Sequence, residues 1–179
     1  MRDQEDAGRE RPLRVGVIGS GGRLDRETAE AARRVGAALA RGGAVLVCGG
    51  LGGVMDAAAA GARDAGGIVL GILPGSDAGA AAPGVSIPIP TGLGEARNVL
   101  VVRSSEAVVA IAGGWGTLSE AAFCLKLGVP LFGLRDQLPA EMSIERLDDP
   151  EEAAERALRA ADRRRAIPLE APRTPGGVG

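Results

Sequence analysis

The chain has 179 residues, 45% of them hydrophobic, which is enough for one domain with a sizeable core. A net charge of −2 and a near-absence of aromatics (one Trp, two Phe, no Tyr) argue against nucleic acid or an acidic membrane surface as partner. Histidine is absent, which excludes Ser-His-Asp and Cys-His nucleophile systems and histidine-ligated zinc or iron within one chain. General acid–base work therefore falls to Asp, Glu, Cys or the single lysine, Lys126.

Met1–Pro12 is polar and reads as disordered, with a charged start that does not resemble a secretory signal. Leu13–Ile18 reads as a first buried strand, and Gly19-Ser20-Gly21-Gly22 as the turn after it. Helical periodicity runs over Arg26–Arg41 and stops at Gly42-Gly43. Ala44–Cys48 is the second strand, followed by a second glycine turn, Gly49-Gly50-Leu51-Gly52-Gly53. The small residues of Val54–Ala65 suit a helix lying close to a sheet, and Ile68–Leu73 is a third strand.

Pro74–Gly84 reads as a mobile loop and Val85–Ile89 as a short strand. The phrase Thr91–Asn98, TGLGEARN, leads into a helix expected to reach about Ser104. The continuous apolar run Ala107–Ala112 is the strand expected to be buried on both faces. Gly113, Gly114 and Gly116 follow it, and Thr117–Leu127 reads as helix. Pro130–Leu134 is a further strand and Met142–Leu147 an edge strand. Asp148-Asp149-Pro150-Glu151-Glu152 then opens a helix to about Arg164. Residues 13–165 are expected to form the domain and 166–179 a flexible tail.

Strands alternating with helices predict an α/β fold: one doubly wound parallel sheet with helices on both faces. Ligands of such sheets lie beyond the carboxyl ends of the strands, where strand order reverses. All three glycine turns fall at those ends. A strand that passes through glycines into a helix start aims backbone N–H groups and the positive helix end at one spot, which suits phosphate. Gly19, Ser20, Gly21, Gly49, Gly50, Gly113, Gly114, Gly116 and Thr117 are the candidate binding residues. None of the turns completes the dinucleotide pattern GxGxxG, and there is no GK[ST] P-loop.

Two readings of Thr117-Leu118-Ser119-Glu120 stay open. T-x-x-E is a capping box, in which both side chains satisfy donors at the helix start. Alternatively, Thr117 donates to a phosphate and Glu120 faces the ligand as acid, base or hydroxyl anchor. Spacing alone favours a solvated side chain for both Arg97 and Arg103 before the long apolar strand; Arg97 is the better placed for function, because it follows Gly92-Leu93-Gly94. Cys48 and Cys124 have no metal-ligand spacing and read as reduced thiols, so no metal site is expected. Lys126 gives no sign of a desolvated Schiff-base pocket. Trp115 fits equally over a ligand ring or at a subunit interface. No apolar run reaches membrane-spanning length, and a cytoplasmic location is expected.

Gly113-Gly114-Trp115-Gly116-Thr117-Leu118-Ser119-Glu120 resembles the PGGxGTxxE signature of the LOG superfamily, once labelled "lysine decarboxylase-like". The likeness extends through Gly49–Met55 and Thr91–Asn98 and spans about Leu13 to Leu134. TGLGEARN followed by GGWGTLSE is similar to the branch of the molybdenum-cofactor carrier proteins. The resemblance implies a Rossmann-like fold, a homo-oligomer (dimer or tetramer), and a phosphorylated small molecule held by the GGxGT turn. Molybdenum cofactor (molybdopterin) is the cargo implied by the carrier branch. The cytokinin-activating members of the superfamily imply the alternative, a nucleoside 5′-monophosphate phosphoribohydrolase that requires no cofactor, with catalytic roles on Arg97 and Glu120. Ala112 stands where those hydrolases usually have Pro, and Asn98 where they usually have Lys. Both departures fit the carrier-like branch. Nothing resembles a pyridoxal-phosphate lysine site.

Overall fold

The computed structural model describes residues 11–166, so most of the expected disordered start and most of the expected tail lie outside the described residues. Seven strands form one sheet in the order β4-β3-β2-β1-β5-β6-β7, and every neighbouring pair is parallel. They are β1 (Arg14–Gly19), β2 (Val45–Cys48), β3 (Val69–Leu73), β4 (Ile87–Pro90), β5 (Ala107–Ile111), β6 (Leu131–Leu134) and β7 (Glu145–Leu147). The helices are α1 (Arg26–Arg41), α2 (Val54–Asp64), α3 (Asn98–Arg103), α4 (Trp115–Leu127) and α5 (Pro150–Ala166). The predicted doubly wound architecture is what forms.

Alternation along the central strands sends side chains to two cores. Val15, Val17, Ala107, Val109 and Ile111 join the core beneath α1, α2 and α5. Ile18, Val108 and Ala110 join the core beneath α3 and α4. All five residues of β5 are buried, as its unbroken apolar run requires. The chain builds β1 to β4 outward in one direction. It then crosses back to lay β5 against the free side of β1, so strand order reverses between β1 and β5.

Several expected boundaries are corrected. The helix that Thr91–Asn98 is expected to lead into forms as the short α3, ending beside Ser104, and a 3-10 turn at Gly94–Arg97 precedes it. Gly92 and Gly94 hold φ of 66° and 56°, a left-handed backbone that does not continue a helix. The expected edge strand Met142–Leu147 shortens to Glu145–Leu147. Met142 N–H donates to Pro139 O and Ile144 N–H to Met142 O, so these groups close turns instead of pairing. The short strand expected at Val85–Ile89 lies at Ile87–Pro90, because Val85 N–H is used by Ala82 O. Within the Pro74–Gly84 loop, Ala78–Ala80 forms a 3-10 turn, and Ala82 N–H donates to Gly50 O at 2.9 Å, tying the loop to the second glycine turn.

The small residues of α2 serve a close approach to α1. A Cβ on Gly36 of α1 would fall on the Ala58 carbonyl, and a Cβ on Gly61 of α2 would fall on the Arg33 carbonyl. The two helices thus meet backbone to backbone through reciprocal glycines. Elsewhere in a helix, Gly→Ala stabilises by about 1 kcal/mol. Here Gly36→Ala is expected to destabilise by roughly 2 kcal/mol, because the helices must part or the core must strain. A urea-unfolding midpoint lower than that of the native protein is the expected result, and a higher one would show that the helices separate without loss.

Candidate functional site

The carboxyl ends of β1, β2 and β5 bring the three glycine turns together at the point where strand order reverses. Packing within the chain accounts for several of these glycines. A Cβ on Gly19 would lie 2.7 Å from Val54 and press on the Ile111 carbonyl, so β1 and β5 can end side by side only without it. Gly50 has φ of 73°, and a side chain there would meet Gly71 and Leu73. Gly53 has φ of 67° and lies over the Ser20 carbonyl, which accepts from Val54 N–H at 2.9 Å. Ser20 Oγ accepts from Gly22 N–H at 3.2 Å, and Gly21 lies on the exposed rim.

Gly114 and Gly116 are different. No atom comes within 4 Å of a Cβ built on either, and neither has a left-handed φ. Nothing in the described chain requires glycine at these two positions. Both lie where α4 begins: Gly114 is its N-cap residue and Trp115 its first residue. The helix therefore starts two residues earlier than expected, and Thr117 sits inside its first turn. This corrects the capping-box reading, since a cap must precede the helix and Gly114 has no side chain to act as one. By contrast, Asp25 caps α1 through Thr28 N–H at 2.7 Å, and Asp149 caps α5 through Glu152 N–H at 2.9 Å. The first-turn N–H groups of α4 are left uncapped beside two glycines that keep the space in front of them open.

Thr117 and Glu120 face the protein interior on α4, with Thr117 only 2% exposed. Arg97, read from spacing alone as solvated, is also buried. It leaves the 3-10 turn before α3 and, like Glu120, is 6% exposed. Its Nη1 lies 3.7 Å from Glu120 Oε1, a loose ion pair, and its Nε is buried with no hydrogen-bond partner among the described residues. Gly49 makes room for this guanidinium: a Cβ there would lie 2.6 Å from Nη2 and 2.7 Å from Met55 Sδ. A buried N–H without an acceptor is uncommon and marks a place where an acceptor can be gained.

Burial pushes the Glu120 carboxyl up to about 7; the Arg97 charge opposes the rise and Glu95 adds to it. Burial likewise pushes Cys48 up to about 11 and Cys124 to about 12, so both thiols stay protonated at neutral pH and neither is an activated nucleophile. Lys126 and Arg103 are exposed, away from this cluster. Among the described residues no group of acidic or thiol side chains could hold a metal ion. No helix of the described residues is long and apolar enough to cross a membrane.

Sequence reasoning gave no role to Asn98, yet it is buried and its Nδ2 donates to Ser119 Oγ at 2.9 Å. Ser119 Oγ in turn donates to the Gly116 carbonyl at 2.7 Å. The pair ties the start of α3 to the first turn of α4, which fixes Arg97 relative to the open N–H groups. The signal was the Asn-for-Lys departure at position 98. Ala112, the other departure, has φ of 51°. Proline locks φ near −65°, so the backbone of this turn is closed to the residue that the hydrolases usually carry there.

A family model, the SLOG cluster4 family, matches residues 12–165, and the chain belongs to that family. An uncharacterised protein of Archaeoglobus fulgidus is 43% identical over 141 residues, covering 79% of this chain and 91% of its own. Among solved structures, the molybdenum cofactor binding protein of Rippkaea orientalis is 35% identical with a TM-score of 0.76, over 81% of this chain and 94% of its own. The molybdenum cofactor carrier protein of Chlamydomonas reinhardtii is 31% identical with a TM-score of 0.74, over 84% of this chain and 99% of its own. The LOG-type signature and its carrier-like variant thus agree with both the family and the fold.

The raised Glu120 carboxyl makes stability depend on pH with a definite sign. Between the ordinary value of 4.5 and about 7 the folded protein binds a proton at Glu120 that the unfolded chain has released. This contribution is therefore full below about pH 4.5 and is lost as pH rises toward 7 and above. Relative to Glu120→Gln, the native protein should lose stability on the order of 2 kcal/mol between pH 5 and pH 8. Urea unfolding of both at the two pH values checks this; a constant difference would place an ordinary, solvated carboxyl at position 120.

Proposed function

We propose that this SLOG cluster4 protein is a binding protein for a phosphate-bearing small molecule, held at the carboxyl ends of β1, β2 and β5. Molybdenum cofactor, the ligand in the names of its structural relatives, is the first to test. The observation that carries the reading is the start of α4, where glycines that no packing requires flank uncapped N–H groups. A phosphate there takes the N–H groups of Trp115, Gly116 and Thr117 and the positive end of a 13-residue helix. Arg97 Nε supplies a further donor from beneath, and Gly19, Gly49 and Gly50 allow the neighbouring turns to close around the ligand. Ser20 and Gly21 form the rim.

One observation favours the second reading, hydrolysis of nucleoside 5′-monophosphates. A carboxyl that titrates near 7 beside a buried guanidinium is suited to proton transfer at neutral pH. In that reaction Glu120 positions and deprotonates water as the C–N glycosidic bond breaks through an oxocarbenium-like state. Arg97 stabilises the charge that develops, and free base and ribose 5-phosphate leave.

The same reading includes a homo-oligomer. Trp115 is 86% exposed at the mouth of the site, Leu125 is exposed further along the same helix, and Leu93 is exposed just before the Gly94–Arg97 turn. Light scattering on the intact chain should return the mass of a dimer or tetramer, and a monomer would remove this part of the proposal.

Thermal-shift titration with nucleoside 5′-monophosphates, and with molybdopterin from a producing host, tests the site itself. Gly116→Val should leave the ligand-free melting temperature nearly unchanged, since the added side chain meets open space. It should weaken binding by roughly tenfold or more, about 1.4 kcal/mol. Chromatography of the same incubations decides between the readings. Free base released by the native protein but not by Glu120→Gln makes it a hydrolase, and no release with clear stabilisation leaves a binding protein.

A further inference from the structure

Across the β1–β5 reversal from Arg97, a second polar space opens over the ends of β5 and β6. It is a cavity of about 500 Å³ whose lining includes Ser20, Arg23, Asp25, Gly113, Arg135 and Asp136. Gly113 belongs to the glycine turn before α4, so the cavity adjoins the phosphate position proposed above. Neither Arg97 nor Glu120 lines it.

The charges around this cavity are unequally engaged. Asp136 is buried against Arg146 at 3.4 Å and accepts from Leu138 N–H at 3.1 Å. Asp25 is committed to the cap of α1. Arg23 is exposed and makes no ion pair or side-chain hydrogen bond among the described residues. Among the described residues Arg135 makes one ion pair, with Glu27 at 3.0 Å, whose side chain is 79% exposed, and its charge also acts on Asp25. Such a surface pair contributes little and is easily exchanged for a better acceptor. The two acids are therefore tied to the protein, while the two guanidinium groups are free or loosely held.

Backbone strain marks the same place. Ala112 and Arg135 are the two non-glycine residues with positive φ among the described residues, at 51° and 50°. They follow adjacent strands, β5 and β6, and both line this cavity. Left-handed backbone disfavours a side chain, and such strain concentrates at ligand sites. At Arg135 it turns the chain at the strand end so that the guanidinium reaches toward α1.

We propose that this cavity is a second anion subsite, and that beyond single-phosphate ligands the protein accepts one with two separated negative groups, one on the α4 turn and one between Arg23 and Arg135. The shared chemistry is a second phosphate, carried by a nucleoside bisphosphate or by a pyrophosphate-linked dinucleotide. Open parallel sheets hold such ligands across the crevice where strand order reverses, one half on each side. Arginine, with its fork of donors, is suited to the second phosphate. The proposal rests on the reading of the α4 turn as the first anion site.

Calorimetric titration of the intact protein with AMP, adenosine 3′,5′-bisphosphate and NAD tests it. One of the two-phosphate probes should bind the native protein at least roughly tenfold more tightly than AMP, and which one does so identifies the source of the second phosphate. In the double variant Arg23→Ala, Arg135→Asn that ratio should fall to about one; asparagine tolerates the left-handed backbone. Glu27→Gln, which releases Arg135, should raise the ratio. Equal affinities for all three probes in the native protein, or a ratio that survives the double variant, would overturn the second subsite and leave the first intact. If no nucleotide binds, the α4 site as a nucleotide site fails, and inorganic pyrophosphate then decides the subsite alone. Binding lost in the double variant keeps it, and no binding removes it.

Discussion

Parallel pairing of β1 with β5, from Val15 opposite Ala107 to Gly19 opposite Ile111, sets the position of every other part of the site. The two strands come from opposite ends of the sheet's construction and meet only because the chain crosses back after β4. Their ends are level because Gly19 has no side chain to push away the Ile111 carbonyl or Val54. From that junction the first turn leads into α1, the second turn lies one strand away, and the third opens α4. A side chain at Gly19 would separate the strand ends and misalign all three.

The crossover that brings β5 home also carries Arg97. Because α3 packs beside α4 on the same face of the sheet, the guanidinium is buried next to Glu120 with Gly49 making room for it. Burying both charges at 3.7 Å gives an incomplete exchange. Solvation is lost, the ion pair is loose, and one N–H is left without an acceptor. A site of this kind gains when an anionic ligand arrives. The Asn98–Ser119–Gly116 chain holds the two helices in register meanwhile, so the donors do not have to be assembled on binding.

Strand and helix identities were legible because burial leaves a period in the chain. The unbroken run at β5 and the amphipathic repeat of α1 each describe their own surroundings. Boundaries set by a few hydrogen bonds were less legible: Val85 and Met142 have strand-like side chains, but their N–H groups are used in turns. The same limit applies at α4. Thr117 and Glu120 have the spacing of a capping box, and only the position of the first helical residue, Trp115, shows that they lie inside the helix. Arg97 is the largest departure, since local spacing favoured a solvated arginine and the fold buries it.

By itself the sequence determined the layered parallel architecture, the three glycine turns and their placement at the carboxyl ends of strands. These follow from local properties: apolar runs, helical periodicity, and the conformational freedom of glycine. The motif likeness in GGWGTLSE and TGLGEARN likewise needed no coordinates. Tertiary structure alone decided which glycines serve packing and which leave open space. It also decided that Glu120 is pushed toward neutrality and that Arg23 and Arg135 meet across one cavity. Each of these depends on atoms brought together from distant segments. The electric field and the free volume at a residue are properties of its neighbours in space, not of its neighbours along the chain.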